Sequence, residues 1–491
     1  MLKSVMIIII TLIQGYCFSS NNFFNLNDPY DVARYEALLR DQFTNKVFFL
    51  MINGQNDQEK FETLIQNQEI KDLRITRNAY WIQINLSPLS RLNNLEKLTL
   101  DGDFGFFRTN PNILWTLPGI PSLKHLAIPS FNFSKENSDK LPDWLSRNPQ
   151  LESLDLTSSS FDDPDALATL IELKNLKKLN LSNNYLGLFF SSNLSMLHNF
   201  PSLISLDVRK NSSLSSPTHL SLILNIPKLE ELYIGGRTQA FPDNIFLSSH
   251  LYEQNFHTLT TSNTLKTLVF ENVITDSVDF SHLAPNLEHL GLINVTGSID
   301  WRKLQNNLKL KTLEISDITW DASKLELINL STLGFLKKFT SNSAKGINIS
   351  HLMPNVEELY LAGSNITGGD LKKIGQLHSL IILDISYIKS LNGTALTHLK
   401  NLTNLKKLSL NALALSTGDF KHLKNLPALE ELSLSRSTLA LSQLDSLGEM
   451  TSLKRLDLYH VNNPNITSTE IHALQQKLPH TKIISEFLNN S

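Results

Sequence analysis

The sequence predicts an α/β solenoid in which short parallel strands form one sheet and helical segments return the chain on the opposite side. Three observations predict this fold. An aliphatic pattern recurs about every 25 residues, its copies stay in phase along most of the chain, and the segments between copies carry apolar residues at helical spacing. A chain of 491 residues would otherwise be divided into roughly three globular domains. The repeat therefore decides the fold class.

The repeat unit is Leu, two variable residues, Leu, one variable residue, and Leu or Ile. Its clearest copy runs from Leu176 through Leu179 and Leu181 to Asn184. Alternation in a short strand buries the Leu side chains on one face and leaves the residues between them on the other. Together with weaker copies at Val47 and Ile70 there are about seventeen repeats, the others beginning at Leu95, Leu123, Leu151, Leu203, Leu229, Leu265, Leu287, Leu310, Leu336, Val356, Leu380, Leu405, Leu429 and Leu453.

This pattern resembles the leucine-rich-repeat superfamily, and the resemblance covers roughly 90% of the chain. Later repeats such as TGDFKHLKNLPALEELSLSRSTL are similar to the helix-bearing subclass seen in ribonuclease inhibitor and in bacterial Thr/Gly-rich repeat proteins. The resemblance implies a leucine-rich-repeat horseshoe, with a concave parallel sheet and helices on the convex side. It also implies a function in binding rather than in catalysis.

The family usually places an Asn shortly after the strand, where the side-chain amide bonds to loop backbone. Asn78, Asn184 and Asn211 keep this residue. Elsewhere the slot holds a Ser or one of the apolar residues Val273, Val295, Ile318, Ile388, Leu413 and Val461. Because an apolar side chain cannot satisfy loop carbonyls, we expect those turns to be arranged differently.

Residues 1–20 have the layout of a secretory signal peptide. Lys3 precedes an apolar run from Val5 to Ile13, and a polar region with a candidate cleavage point near Ser19 follows. The run is shorter than the roughly 20 residues that span a bilayer, which favours cleavage over an uncleaved anchor. We expect the mature chain to be secreted or held in the cell envelope, without a later transmembrane span.

Both ends of the repeat array need caps, because a terminal repeat exposes apolar surface. We expect a capping helix within 21–46, repeats over 47–470 and a C-terminal cap over 471–491. In that last segment Ile471, Leu474 and Leu478 form one helical face, and a half-repeat follows at 482–484. Secreted animal and plant repeat proteins generally staple these ends with disulfides, so caps without cysteine favour a bacterial exported protein.

Composition excludes several classes of function. The 44 basic and 47 acidic residues leave a net charge of −3, without the basic excess that nucleic-acid binders use to displace counterions. The single cysteine, Cys17, lies in the leader, which excludes disulfides, thiolate metal sites and cysteine nucleophiles from the mature chain.

No motif for catalysis or cofactor binding occurs in the sequence. There is no HExxH, no GxSxG, no phosphate-binding glycine loop and no EF-hand loop. Five histidines recur in fixed slots before the repeats, which indicates return-segment positions rather than convergent metal ligands; they are His198, His282, His351, His398 and His422. We therefore expect no catalytic residues, no metal and no cofactor.

The candidate binding residues are the variable ones on the concave strand face. Acidic and Tyr side chains mix along this face, and Tyr offers a large contact area at low entropy cost. Asp at this position is also common for local reasons, which is the competing interpretation of each single residue. The predicted partner-binding set is Asp155, Asp207, Arg209, Tyr233, Glu271, Glu314, Tyr360, Asp384, Tyr387, Asp457 and Tyr459.

The resulting hypothesis is a non-enzymatic, exported protein that binds a protein partner, with a role in host interaction suggested by the bacterial resemblance. Two alternatives stay open: an adhesin for glycan or cell-wall polymer, and an effector that recruits substrates for ubiquitin ligation. Two aromatic segments, 101–120 with Trp115 and 235–264 with Tyr252, are secondary candidates for a binding loop, since long loops often carry function.

Overall fold

The computed structural model describes residues 16–19, 22–25, 47–52, 57–77, 85–100, 111–133, 141–159, 168–184, 186, 194–211, 217–236, 249–251, 257–300, 304, 307–316, 336–341, 355–416 and 420–488. The chain divides into two compact units, Met1–His250 and Leu251–Ser491. The division falls within the unusually long repeat that begins at Leu229. No helix in these described ranges is long and apolar enough to cross a membrane.

The first unit contains a parallel sheet whose strands pair in chain order. Its strands are β3 (Val47–Ile52), β4 (Asp72–Arg77), β5 (Lys97–Leu100), β6 (His125–Ala127), β7 (Ser153–Asp155), β8 (Lys178–Asn180), β9 (Ser205–Val208) and β10 (Glu231–Gly235). Ahead of this sheet, β1 (Tyr16–Ser19) and β2 (Asn22–Asn25) form an antiparallel hairpin. The predicted leader run and the capping helix of residues 28–46 otherwise lie outside the described residues.

The second unit repeats the arrangement, again with parallel strands paired in chain order. A short strand β11 (Ser249–Leu251) spans the division between the units. The strands that follow are β12 (Thr267–Asp279), β13 (His289–Asp300), β14 (Thr312–Ser316), β15 (Lys338–Ser341), β16 (Glu358–Tyr360), β17 (Ile382–Asp384), β18 (Lys407–Ser409), β19 (Glu431–Ser433), β20 (Arg455–Asp457) and β21 (Lys482–Ile484).

The predicted repeat phase matches these strands. From Ile70 to Leu453, each strand starts two residues after the predicted first residue of its repeat, as Lys178 follows Leu176. The two later aliphatic residues are buried; Leu179 is 2% exposed and Leu181 is 1% exposed. The parallel leucine-rich-repeat fold is therefore confirmed, since in-phase burial forces each strand to lie beside the next.

The register at the first strand corrects the prediction. Val47 pairs with Asp72, not with Ile70, so the repeat that contains β3 is shifted by two residues from the assumed phase. A shift of two preserves the alternation between the faces of the sheet, which explains why the hydrophobic pattern alone could not distinguish the two registers.

Short helices return the chain in both units. The α-helices are α1 (Asp57–Leu64), α2 (Leu141–Ser146), α3 (Pro217–Leu224), α4 (Gly368–Ile374), α5 (Leu441–Gly448) and α6 (Ser468–Lys477). Several other returns are 3₁₀ helices, namely Ser87–Arg91, Pro111–Thr116, Leu194–Asn199, Phe280–His282, Gly393–Asn401 and Phe420–His422.

The 3₁₀ returns refine the expectation of a helix-bearing subclass. Leu396, Leu399 and Leu402 are each three residues apart, and all three are fully buried. A spacing of three matches the 3₁₀ period, in which side chains at i and i+3 lie above one another, better than the α-helical period of 3.6. The apolar spacing thus predicted the buried face correctly but not the type of helix.

Buried polar side chains close the turns of the first unit. Asn211, fully buried, accepts hydrogen bonds from the backbone N–H groups of Asn184 (3.0 Å) and Leu186 (3.2 Å). Its amide donates to the carbonyls of Leu181 and Val208, each at 2.9 Å. Asn184 makes equivalent hydrogen bonds in the preceding repeat, so the prediction for this slot is confirmed at both positions. Asn78 lies outside the described residues.

Where Val273 and Val295 occupy the slot, the turn is built differently, as expected, while Ile318 lies outside the described residues. β12 and β13 extend through the turn and remain paired there, with Val273 opposite Val295. Both valines are buried. Continued strand pairing satisfies backbone groups that an Asn amide serves elsewhere.

The described end of the second unit is helix α6 followed by β21. Thr467 caps α6 and forms a reciprocal capping box with Glu470. Ile471, Leu474 and Leu478 are buried, and β21 pairs with β20 in parallel. The boundaries of the capping segments remain predictions.

Candidate functional site

The candidate site is the face of each sheet that carries the variable residues. In each repeat this strand face contains the first and third residues of the strand and the next alternate residue, for example Lys178, Asn180 and Ser182. The buried leucines point to the other side, toward the return helices. Each unit carries its own strand face.

Most of the predicted binding residues lie on this face, but only some are neighbours. Tyr387 was placed wrongly, because alternation puts Asp384 and Ser386 on the face and leaves Tyr387 in the turn with a left-handed backbone. In the first unit, Asp155 is opposite Asn180, Asn180 is opposite Asp207, and Asp207 is opposite Tyr233. In the second unit Tyr360 pairs directly with Asp384. The register does not place the remaining predicted residues directly opposite one another: Glu314 lies between Gly291 and Thr340, Asp457 lies between Ser433 and Ile484, and Glu271 lies farther along β12.

The aspartates share a local structural role. The Oδ1 atom of each accepts a hydrogen bond from the backbone N–H two residues later, at 2.9 Å for Asp155 and 3.0 Å for Asp207, Asp384 and Asp457. This is an Asx-type turn contact, which orders the backbone as the chain leaves the strand. Asn180 makes the same contact to Ser182. The carboxylates thus have a structural function whether or not they meet a partner.

Burial also changes the acidity of two of these carboxyls. Desolvation raises the pKa of Asp155 above its ordinary value, and the nearby Asp207 charge adds to this, while hydrogen bonds from Thr157 oppose it. Desolvation likewise raises the pKa of Asp457, against the hydrogen bond from Tyr459. Because burial disfavours the charged form of Asp155 and Asp457, these two carboxyls are poorly suited to attract a partner electrostatically.

A Tyr–Arg–Asp cluster forms the best-organised part of the first unit's strand face. The Nη2 atom of Arg209 donates to Asp207 Oδ2 at 2.7 Å, and its Nε lies 3.1 Å from Asp207 Oδ1. The guanidinium carbon lies 5.2 Å from the centroid of the Tyr233 ring, within cation–π range. Desolvation raises the pKa of the Tyr233 hydroxyl, so the ring stays neutral at physiological pH. Arg209 is held in place by both neighbours.

A second tyrosine cluster lies on the strand face of the second unit. Lys338 Nζ is 4.8 Å from the Tyr360 ring centroid and 3.4 Å from Glu358 Oε2. The Tyr360 hydroxyl donates to the same Glu358 oxygen at 3.2 Å. Burial, followed by the Glu358 charge, raises the pKa of Tyr360 to about 12. Here the tyrosine contacts both a cation and a carboxylate, whereas in the first cluster the carboxylate binds Arg209, which lies over the Tyr233 ring.

Two more predicted tyrosines lie near the turns. Tyr387 is 51% exposed and has a left-handed backbone conformation, with φ of 61°. The ring of Tyr459 lies 4.4 Å from that of His460, whose backbone N–H donates to Glu486 at 2.9 Å.

Sequence reasoning missed the row that begins each strand. Glu358 and Lys338 belong to it, and so do Lys407 and Glu431, whose charged groups are 2.8 Å apart. Residues two positions apart in a strand lie on the same face of the sheet. The alternation that located the predicted residues therefore also locates this row, two positions earlier in each repeat. His289 also lies in this row, and burial lowers its pKa, which keeps it neutral at pH 7.

The return side carries the recurrent histidines. His198, His282, His398 and His422 all lie in 3₁₀ helices, as their fixed slots predicted, while His351 lies outside the described residues. In the described part of the chain, no group of three or more His, Cys, Asp and Glu side chains is arranged to hold a metal ion.

Of the two aromatic segments predicted as binding loops, the structure describes the part that contains Trp115. Trp115 packs edge-on against Phe133 and Trp144, with ring centroids 6.3 and 6.1 Å apart. Phe133 and Trp144 are fully buried, so the partly exposed Trp115 ring packs against the hydrophobic core on one side. Residues 101–110 and the aromatic residues of the 235–264 segment lie outside the described residues.

The parallel strands and their buried repeat define a leucine-rich-repeat fold. Among solved structures, the chain is similar to TLR13 in its complex with ssRNA13, at 17% identity and a TM-score of 0.50 over 85% of this chain. The chain spans 56% of the length of that TLR13 chain. This likeness supports the fold alone.

Two bacterial structures are also similar to the chain. An internalin from Listeria monocytogenes is 18% identical, with a TM-score of 0.33, over 89% of this chain and 96% of its own. A leucine-rich-repeat protein from Leptospira interrogans is 19% identical, with a TM-score of 0.37, over 88% of this chain and 99% of its own. No protein-family model matches the sequence, and no curated protein matches it.

Proposed function

We propose that this protein is a non-enzymatic scaffold that recognises another protein through its strand faces. The observation that carries the proposal is the pair of tyrosine clusters, Asp207–Arg209–Tyr233 in the first unit and Lys338–Glu358–Tyr360 in the second. Each presents an aromatic ring on a strand, in contact with a cation that a carboxylate binds.

Rigid aromatic side chains suit protein recognition for a physical reason. Association costs about 0.5–1.5 kcal/mol for each rotamer-rich side chain that becomes immobilised. A ring and a guanidinium already fixed by neighbours avoid much of that cost. Tyr and Arg are also enriched among residues that dominate binding energies. The strand face as a whole carries both signs of charge, which fits a protein surface of mixed charge better than a uniformly charged polymer.

The test is affinity capture with purified mature protein, followed by measurement of the dissociation constant for each captured protein. We expect Tyr233→Ala and Tyr360→Ala each to weaken binding by at least about tenfold, or about 1.4 kcal/mol. Lys372→Ala, which removes an exposed side chain from α4 on the return side, is the matched control and should bind normally.

Tyrosine-to-phenylalanine variants sharpen the result. Tyr233→Phe keeps the ring beside Arg209 and should retain most of the affinity for the partner. A loss of affinity in this variant would instead assign the contribution of Tyr233 to its hydroxyl group. If both alanine variants bind their partners with wild-type affinity, the partner-binding interface does not include these tyrosines, and recognition through the strand faces is refuted. Saturable binding to a glycan array, abolished by the same alanine variants, would favour an adhesin instead. Binding to single-stranded RNA, the ligand in the TLR13 complex, belongs in the same panel.

We further propose that the chain is exported, with a role at a cell surface or in host interaction. The apolar run from Val5 to Ile13 after Lys3 supports export. Mass spectrometry of the N-terminus of the secreted protein tests it, and a mature form that begins near Ser19 or Ser20 is the expected result. An intact Met1 on cell-retained protein would contradict it.

A further inference from the structure

One return helix of the second unit is capped by an asparagine that precedes a glycine. Asn392 caps the 3₁₀ helix Gly393–Asn401, and its Oδ1 atom accepts hydrogen bonds from the Ala395 N–H at 3.3 Å and from the Thr394 hydroxyl at 2.6 Å. The Asn392 side chain is exposed, whereas the glycine after it is buried. The sequence contains one other Asn–Gly pair, at 53–54, which lies outside the described residues.

This cap lacks a hydrogen bond that the caps of the neighbouring α-helices make. In α4, α5 and α6, the backbone N–H of the capping residue donates to the side chain three residues later, which is Asp370 (2.9 Å), Gln443 (2.7 Å) or Glu470 (2.9 Å). Three residues after Asn392 stands Ala395, which has no side-chain acceptor. The 3₁₀ hydrogen bonds behind the cap also have poorer geometry than α-helical ones. The cap at Asn392 therefore opens locally at a lower free-energy cost than the caps of the three α-helices.

The Asn–Gly pair supplies the atoms for an intramolecular reaction. The backbone nitrogen of Gly393 is the first of its helix and has no intrahelical partner, and glycine has no Cβ atom to shield it. Once hydroxide removes its proton, this nitrogen attacks Cγ of Asn392. The new C–N bond closes a succinimide ring as the Cγ–Nδ2 bond breaks and ammonia leaves. Water then opens the ring at one of its two carbonyls, which gives aspartate or isoaspartate.

The structure also shows what assists this reaction and what limits it. Both donors at the cap, Thr394 and Ala395, bind Oδ1, so they polarise the amide carbon and stabilise the negative charge that develops on this oxygen during the attack. The backbone of Asn392 is extended, with ψ of 175°, and Gly393 is buried. The glycine nitrogen therefore reaches Cγ only when the cap opens, and the ease of opening sets the rate.

We infer that Asn392 is a site of spontaneous deamidation, because it combines an Asn–Gly pair with a cap that lacks the reciprocal hydrogen bond. The inference is independent of the proposed function. Aspartate at this position can still accept the Ala395 N–H and favours the helix N-terminus by its charge. Isoaspartate adds one carbon to the main chain at the residue that forms a β-bridge with Ala414, so it disturbs the contact between adjacent repeats.

Tryptic mass spectrometry of the full wild-type chain tests the inference during incubation at mildly alkaline pH. Trypsin releases residues 390–400 as one peptide, whose single asparagine is Asn392. We expect this peptide to gain the mass that distinguishes an acid from an amide, and to separate into two forms that co-elute with aspartate and isoaspartate standards. The next peptide, 401–406, is an internal control, since its exposed Asn401 and Asn404 each precede leucine and should react at least about tenfold more slowly.

Two variants separate the effect of the cap from that of the Asn–Gly pair. Ala395→Glu supplies the missing acceptor for the cap N–H and should slow the reaction of Asn392 at least about fivefold. Thr367→Asn creates an Asn–Gly pair at the cap of α4, where Asp370 still accepts from the cap N–H, and the new asparagine should react more slowly than Asn392 by a similar factor. Circular dichroism confirms that each variant is folded, and the wild-type measurement needs neither of them.

Several outcomes would overturn the inference. An unchanged 390–400 peptide, or equal rates at Asn392 and Asn404, would show that Asn392 is not a deamidation site. A folded Ala395→Glu variant that reacts as fast as the wild type, or an asparagine at 367 that reacts as fast as Asn392, would refute the role of the open cap.

Discussion

Replacement of Asn211 by Ala should destabilise the first unit more than its single side chain suggests. The buried amide accepts hydrogen bonds from two backbone N–H groups, those of Asn184 and Leu186, and donates to the carbonyls of Leu181 and Val208. Alanine leaves both N–H groups buried without this partner, at a cost of about 1–3 kcal/mol each. We expect the variant to lose about 3–5 kcal/mol of unfolding free energy.

Asn180→Ala provides a matched control because it makes the same exchange one repeat away. Asn180 lies on the strand face and accepts one backbone hydrogen bond, from Ser182 at 2.9 Å. Its replacement should cost about 1 kcal/mol. Asn211→Ser should fall between the two, since Ser437 accepts from Leu413 N–H and donates to the Leu410 carbonyl in an equivalent slot.

Urea unfolding followed by circular dichroism measures all three variants. The midpoints should fall in the order wild type, Asn180→Ala, Asn211→Ser, Asn211→Ala, with similar slopes. A loss for Asn211→Ala no larger than that for Asn180→Ala would refute the argument that this amide holds adjacent turns together.

Burial raises the pKa of Asp457 in the folded state. The protonated carboxyl therefore contributes its full stability below the pKa of the unfolded chain, and this contribution is lost as the pH rises through the folded-state pKa. Asp457→Asn, which can still accept from Tyr459 N–H, should therefore stabilise the protein by less than about 1 kcal/mol at pH 7 and not at pH 3; equal effects at both pH values would contradict this. Glu358→Gln should lower the pKa of Tyr360 from about 12, which spectrophotometric titration against a Tyr360→Phe variant detects, and an unchanged titration would exclude the Glu358 effect. Ser437→Ala should cost about 1–3 kcal/mol in urea unfolding, because it removes a buried donor and acceptor, and a neutral result would show that the turn relaxes.

Much of the fold could be predicted because one physical cause, periodic burial, repeats many times. The aliphatic residues at Leu176, Leu179 and Leu181 predict a strand, and the same spacing elsewhere predicts its neighbours. The buried Asn slot was also predictable, since a buried turn needs an amide that can both donate and accept. Val47 was placed in the wrong register because a shift of two residues leaves the buried pattern unchanged.

The nature of the returns was harder to predict. Leu396, Leu399 and Leu402 indicate a buried helical face, but a short segment with apolar residues at i and i+3 fits both α and 3₁₀ geometry. The apolar residues Val273 and Val295 did not by themselves predict that β12 and β13 extend through the turn. That extension becomes clear only when the two valines are seen to pair with each other.

The candidate site was predicted by position but not by role. Alternation located Asp155 and Asp457 on the strand face, but it could not show that each carboxylate accepts a hydrogen bond from its own turn. It identified Tyr360 without Glu358, although the same rule exposes both. The left-handed conformation of Tyr387 depends on backbone angles that no side-chain pattern reports, so its position in the turn was not predicted.

The most direct test of strand-face recognition is oxidative footprinting of the chain with and without a captured protein partner. We expect labelling of both Tyr233 and Tyr360 to fall in the complex, whereas His378 and His398 on the return side should label equally in both states. Protection confined to the return side, with both tyrosines unchanged, would contradict recognition through the strand faces.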